Sequence, residues 1–325
     1  MGDTGETATE AEAIDPTIAR FAAALQAGYA RYPDLEKRPL AERRAIAEAV
    51  REPWRTGGPA MRAQRDTTVP SAAGEVRIRL FDATGETGPR AALVYAHGGG
   101  FTSFSLQTHD RLMREYAERT RAVVVGVDYA LSPEAKFPTA LEQVAGVVEW
   151  LTAQAARLGI DPNRIAAGGD SAGANLALSA AIKLRDARGS AQVAALLLNY
   201  GFFDADFRTA SHARHGGPDK LLTTDELAWF LDNYLEGTPH RDHPLALPAR
   251  ADLRGLPPSF HVIAQCDPLA DGDRAMVEKM RAAGDEVEAK VYPGATHSFL
   301  EAVSISPLAE SALAESSAWL ADRLK

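Results

Sequence analysis

Cysteine is nearly absent: Cys266 is the only one in 325 residues. That rules out an internal disulfide and a cysteine-built zinc module, and it fits a reducing compartment. No run of about 20 apolar residues occurs, so no membrane-spanning helix is expected. The first residues, Met1 to Asp15, lack a basic start followed by an apolar stretch, so no secretory signal is expected and the cytoplasm is the expected location. Positive charge is also in short supply, 35 Lys and Arg against 44 Asp and Glu for a formal net charge of −9. Without a basic patch, such a chain suits neither nucleic-acid phosphates nor an anionic membrane surface. Compositional bias is missing as well. With 46% hydrophobic residues, 26 Gly and 19 Pro, disorder, collagen and low-complexity filaments are excluded. What remains is a globular protein with a large core, in one or two domains by length.

Two helical patterns come first. Ile18, Phe21, Leu25 and Tyr29 form one stripe from Pro16 to about Tyr32, and Leu40, Ile46 and Val50 form another that Pro53, Gly57, Gly58 and Pro59 should break. Residues 1–65 therefore read as an appended helical segment whose acidic extreme terminus should fray. The texture then changes. Val76, Ile78 and Leu80 alternate with arginines, as in a half-exposed strand, whereas Ala91 to Ala96 and Ala122 to Val127 are continuous apolar runs suited to strands buried on both faces. Further runs at Ile165 to Ala167, Val193 to Tyr200, Phe260 to Cys266 and Val287 to Tyr292 alternate with helical stretches such as Leu141 to Leu158 and Ala174 to Leu184. This order predicts an α/β fold with a mostly parallel sheet, helices on both faces, and ligands at the carboxyl ends of the strands. The stretch 202–253, with a capped helix over Thr224 to Leu235, is too long for a connection and reads as an inserted lid. The sheet domain thus comprises 66–201 and 254–325.

The chemistry-bearing residues sit where those strands end. Gly169-Asp170-Ser171-Ala172-Gly173 follows a strand and opens a helix, the setting of a nucleophile elbow, where bulk two positions from the serine would strike the neighbouring strand and helix. Alone, these five residues also fit a glycine-rich turn or a phosphate cradle. His97-Gly98-Gly99-Gly100-Phe101 follows another strand, so the N–H groups of Gly98, Gly99, Gly100 and Ala172 could hold an oxyanion. His97 reads as a brace for that loop. A hydroxyl nucleophile needs a base and the base needs an orienting acid, in the order Ser, Asp, His for this architecture. Asp267 leaves the strand ending at Cys266, and His297 lies just past the strand ending at Tyr292. Asp271 is the rival acid, a turn further on. The pairs His212/His215 and His240/His243 have i, i+3 spacing but no surrounding carboxylate or cysteine set, so no metal is expected. His109 reads as a surface residue, His261 as a strand residue, and Cys266 as a buried structural thiol.

These blocks together resemble the hormone-sensitive-lipase-like branch of the α/β hydrolases, the bacterial family IV esterases. Asp128-Tyr129-Ala130-Leu131-Ser132-Pro133-Glu134, with Phe137-Pro138 after it, and Asp267-Pro268-Leu269-Ala270-Asp271 add to the likeness, which spans about residues 75 to 325. Ala130, Ser132, Ala174 and Ser298 depart from the family pattern. The resemblance implies an α/β-hydrolase fold of about eight strands under a helical cap made of 1–65 and 202–253. It implies Ser171 as nucleophile, His297 as base, Asp267 as orienting acid, and Gly99, Gly100 and Ala172 as oxyanion donors. It also implies hydrolysis of short- to medium-chain carboxylic esters without cofactor or metal, with a small-molecule ester as partner.

Phe101, Phe104, Phe202, Phe203 and Trp54 are the aromatics suggested for an acyl pocket. Amide or N-acetyl hydrolysis by the same triad, a receptor that has lost turnover, and a membrane-surface lipase are the alternatives; His297 speaks against the second and the lack of a basic helical face against the third. Oligomeric state stays open, a homodimer included.

Overall fold

The structure, a computed structural model, describes residues 13–325. The expectations of a frayed, signal-free start concern residues 1–12, which lie outside the described residues. Asp15 accepts hydrogen bonds from the N–H groups of Thr17 and Ile18 and so caps α1 (Pro16–Tyr29), which buries Ile18, Phe21 and Leu25. The second helix, α2 (Leu40–Arg55), does not stop at Pro53, contrary to the sequence reading. A proline this close to a helix end forfeits one backbone bond, and the turn comes only at Gly57 and Gly58, with φ of 76° and 77°.

Eight strands follow in the spatial order β1-β2-β4-β3-β5-β6-β7-β8. They are β1 (Ala63–Ser71), β2 (Gly74–Asp82), β3 (Arg90–Ala96), β4 (Val123–Asp128), β5 (Ile160–Asp170), β6 (Ala195–Asn199), β7 (Ser259–Cys266) and β8 (Val287–Thr296). The first two join the sheet antiparallel and the others run parallel. The α/β-hydrolase sheet read from the sequence is therefore present. Its first strand was not foreseen and begins inside the segment assigned to the amino-terminal helices; among its side chains only Val69 is buried, so apolar periodicity could not reveal it.

Alternation along β3 shows how the core is divided. Leu93 and Tyr95 pack toward α3 (Asp110–Thr120), α10 (Pro307–Arg323) and the amino-terminal helices, whereas Val94 and Ala96 pack toward α4 (Thr139–Leu158) and α5 (Ala172–Arg188). Because both faces are covered, the strand carries no polar face, and each buried Leu or Val contributes roughly 1.5–3 kcal/mol. Between β6 and β7 the chain carries α6 (Ala210–His215), α7 (Thr224–Tyr234) and α8 (Gly237–Arg241), and α9 (Ala270–Ala282) follows β7. Thr223 and Glu226 form a capping box at the start of α7, which buries Leu227, Leu231 and Tyr234 on one stripe. Arg44 of α2 reaches the carboxyl end of the parallel strands: it donates to the carbonyl oxygens of Thr102 (2.7 Å) and Ser132 (2.7 Å) and grips Glu134 with both terminal nitrogens.

Candidate active site

Ser171 stands between the last residue of β5 and the first of α5 with φ 56° and ψ −118°, a conformation that costs a non-glycine residue about 1–3 kcal/mol. Its surroundings hold it there. The Ser171 N–H donates to Asn199 O at 2.9 Å, and the Ser171 carbonyl accepts from the N–H groups of Phe202 at 3.1 Å and Asn175 at 3.2 Å. A Cβ at Gly169 or at Gly173 would run into the Ala96 carbonyl, so both flanking glycines are required by the close approach of β3.

Two distant loops complete the arrangement. His297, just past β8, lies with Nε2 3.0 Å from Ser171 Oγ and Nδ1 2.6 Å from Asp267 Oδ2. Asp267 Oδ1 accepts from Leu269 N–H at 2.9 Å, and the carboxylate is fully buried. Since a carboxylate only accepts, Nδ1 carries a proton and Nε2 is left to accept from the serine hydroxyl. Ser298, one of the family departures, takes φ 62°, the left-handed turn for which glycine is the easier choice. Ala174, the departure beside the elbow, is buried inside α5 with no such demand. The rival Asp271 is engaged elsewhere: Oδ2 accepts from Ser211 N–H at 2.8 Å and Oδ1 from Arg274 at 3.1 Å.

The oxyanion donors expected after β3 need one correction. Gly98 N–H is taken by Asp170 Oδ1 at 3.1 Å, so it cannot also serve an oxyanion. Gly99, Gly100 and Ala172 N–H have no acceptor among the described residues. Gly100, at φ 60°, lies against the ring of Phe230 from α7, and a Cβ there would overlap that ring. Phe230 was not among the aromatics suggested from the sequence. Of those five, Phe101 stacks on Tyr234 with centroids 3.8 Å apart, Trp54 packs edge-on against Phe21, and Phe203 faces His261 in the core. Phe104 lies beneath the Arg51 guanidinium, and Phe202 is buried 6.1 Å from Phe101.

Behind the elbow the structure overturns another reading. His109, expected at the surface, is buried, with Nε2 3.1 Å from Asp170 Oδ2. The same carboxylate accepts from Tyr95 Oη at 2.9 Å. His97 braces its loop as expected, with Nδ1 donating to Gly98 O at 2.7 Å and its ring stacked on Tyr129. Burial pushes the His97 imidazole down to about 3, so it stays neutral. The spaced histidine pairs are absorbed into local bonding: His212 Nδ1 meets Thr224 Oγ1 at 2.9 Å, and Nδ1 of His240 and of His243 accept backbone N–H groups. Among the described residues no group of at least three His, Cys, Asp or Glu side chains is gathered as for a metal ion. Nor is any helix among them long and apolar enough to cross a membrane. A groove of about 800 Å³ opens beside His297, between α1 at Ala19 and Ala23 and the chain at Leu221 and Leu222.

Residues 93–301 match the family described as alpha/beta hydrolase fold. The thermostable carboxylesterase EstE1, cloned from a metagenomic library, is 33% identical, with a TM-score of 0.85 over 89% of this chain and 99% of its own. A hyperthermophilic esterase from the archaeon Pyrobaculum calidifontis is 31% identical, with a TM-score of 0.88 over 95% of this chain and 98% of its own. A thermostable esterase from Pseudomonas putida is 28% identical, with a TM-score of 0.90 over 98% of this chain and 99% of its own.

Proposed function

The chain belongs to the hormone-sensitive-lipase-like esterases of the α/β-hydrolase fold, and from that premise we propose that it hydrolyses short- to medium-chain carboxylic esters through an acyl-enzyme on Ser171. Ser171 Oγ attacks the ester carbonyl while His297 Nε2 takes its proton, and Asp267 stabilises the resulting imidazolium. The carbonyl oxygen becomes an oxyanion facing Gly99, Gly100 and Ala172 N–H, where each donor is worth about 3 kcal/mol of barrier. Collapse breaks the bond to the alcohol, which leaves with the proton from His297. Water, deprotonated by the same imidazole, attacks the acyl carbon and frees Ser171 and the acid.

The observation that carries this reading is the relay itself, 3.0 Å from serine to imidazole and 2.6 Å from imidazole to carboxylate, beside N–H groups with no other acceptor among the described residues. None of these steps needs a metal or an organic cofactor. The groove beside His297 has an apolar side at Ala19, Ala23, Leu221 and Leu222 and a polar side at Gln26, Arg214, Asp219 and Lys220; the apolar side supports an acyl or alcohol arm, and Phe230 over Gly100 supports a limit on its bulk. The amino-terminal helices α1 and α2 and the insertion 202–253 are proposed as the cap over this site. A cytoplasmic setting completes the proposal, supported by the single cysteine; oligomeric state, a homodimer included, carries no role in it.

Steady-state turnover of a p-nitrophenyl ester panel, with N-acyl anilides alongside, tests the reading. Ser171→Ala should lower ester kcat by at least about a thousandfold with the fold intact. Turnover retained in that variant would remove Ser171 from the mechanism.

A further inference from the structure

Asp170 is fully buried beside the nucleophile, yet no step above uses it. Its carboxylate collects three donors from three places: Gly98 N–H in the oxyanion loop (3.1 Å), Tyr95 Oη on β3 (2.9 Å) and His109 Nε2 at the start of α3 (3.1 Å). Gly98 fits the contact because it lacks a side chain; a Cβ there would overlap the Asp170 carboxylate. The oxyanion loop is thus fastened to the residue that precedes Ser171, which relates the two halves of the site to one another directly.

His109 is built to keep that fastening. A carboxylate cannot donate, so Nε2 must carry the proton between His109 and Asp170. On the other side, His109 Nδ1 lies 2.9 Å from Thr108 Oγ1, and that hydroxyl is also 2.8 Å from Ser105 O. Thr108 can donate to Nδ1 when the imidazole is neutral, or turn to Ser105 O and accept from Nδ1–H when it is charged. The bond to Asp170 survives either way. Burial disfavours charge on His109, but the Asp170 carboxylate outweighs it and lifts the imidazole above its ordinary value; Glu301 acts in the same direction, and Arg51 against it. His97, whose ring centre is 5.5 Å away, is the other titratable side chain facing it, and Phe104 closes a further side.

We propose that Asp170 and His109 are positioning residues for the oxyanion hole: His109 orients the Asp170 carboxylate, the carboxylate holds Gly98, and Gly99 and Gly100 N–H thereby stay aimed at the oxyanion of the tetrahedral intermediate on Ser171. The proposal rests on the esterase reading above. It makes the pair act on the transition state through the loop, while leaving ester binding and the serine–histidine proton transfer untouched.

The test compares wild type with Asp170→Asn, Asp170→Ala and His109→Phe, using p-nitrophenyl butyrate and an alkyl trifluoromethyl ketone. The ketone carbon bonds to Ser171 Oγ, the serine proton passes to His297, and the former carbonyl oxygen becomes an oxyanion. Rates are taken per active site titrated with a phosphonate ester, so partly unfolded protein does not count. Asp170→Ala should lower kcat about a hundredfold, the scale of one lost oxyanion donor, with KM within about threefold and the ketone Ki raised in step with the fall in kcat. Asp170→Asn keeps an oxygen for Gly98 N–H and should lose less than about tenfold, rescuing most of the alanine defect. His109→Phe, which has no donor, should fall between them. Should Asp170→Ala fail to fold, the other two variants decide. A ratio of Ki to KM unchanged from wild type in the folded variants, whatever their thermal stability, overturns the pair's role. A wild type that neither turns over ester nor binds the ketone overturns the esterase reading instead.

Discussion

Asp267 and Asp271 are four positions apart in a short stretch that leaves β7, and the difference between them is one of hydrogen bonding. Asp267 faces His297 at 2.6 Å; Asp271 secures Ser211 N–H at the start of α6. Asp267→Asn should therefore cost kcat about 10⁴-fold through the wrong imidazole tautomer, while Asp271→Asn stays within about tenfold of wild type. Paired kinetics on the two variants check the order, and its reversal would reassign the acid. A second residue-scale consequence concerns His261, fully buried on β7, where burial pushes the imidazole down to about 3 from 6.5. The folded state takes up no proton there until about pH 3, whereas the unfolded chain does so near 6.5. Stability from this site is thus complete above the unfolded value and is lost as pH falls below it, by about 2 kcal/mol at pH 5. Urea unfolding at pH 7 and pH 5 should show wild type losing about that much more than His261→Leu; equal losses would contradict it. The triad and the elbow were legible because each sits at the end of an apolar run. His109 was not legible: its neighbours Gln107, Thr108 and Asp110 are polar, and only the fold brings Asp170 to meet it.

At the scale of elements, periodicity located what is amphipathic or wholly apolar and missed what is neither. The stripes of α1 and α7 and the buried runs of β3 and β4 follow from side-chain spacing. β1 is an edge strand whose polar residues face water, and its pairing with β2 is a backbone matter that sequence patterning does not record. Likewise, the helical pattern at Thr224 to Leu235 announced α7 but not where it lies. The structure sets Phe230 of α7 on Gly100, while Trp229 beside it packs under the Arg43 guanidinium of α2 at 4.5 Å. The ring thereby forms a wall next to Gly100, one of the proposed oxyanion donors. Phe230→Ala should move the preferred acyl chain upward by at least two carbons, since each added methylene is worth about 1 kcal/mol or more in an apolar pocket. kcat/KM across C2 to C12 p-nitrophenyl esters measures this, and an unchanged optimum would mean that the acyl group lies elsewhere.

The molecule as a whole joins four stretches of chain that are remote in sequence, and the parallel sheet does the joining. Since β3, β5, β7 and β8 run in one direction, the residues following each emerge at the same edge, bringing the glycine loop, Ser171, Asp267 and His297 together. The amino-terminal helices reach that edge too: Arg44 fastens the segment after the glycine loop, and Arg51 forms a buried ion pair with Glu301, four residues past His297. On the proposed esterase reading, this arrangement activates the Ser171 hydroxyl. The direct measurement is the mass of the intact protein and of its peptides after treatment with a p-nitrophenyl alkylphosphonate, which transfers its phosphorus to an activated serine and releases p-nitrophenol. One adduct per chain is expected, on the peptide that contains Ser171, with none in Ser171→Ala and slow labelling in Asp267→Asn. An unlabelled protein, or an adduct on another residue, would contradict it.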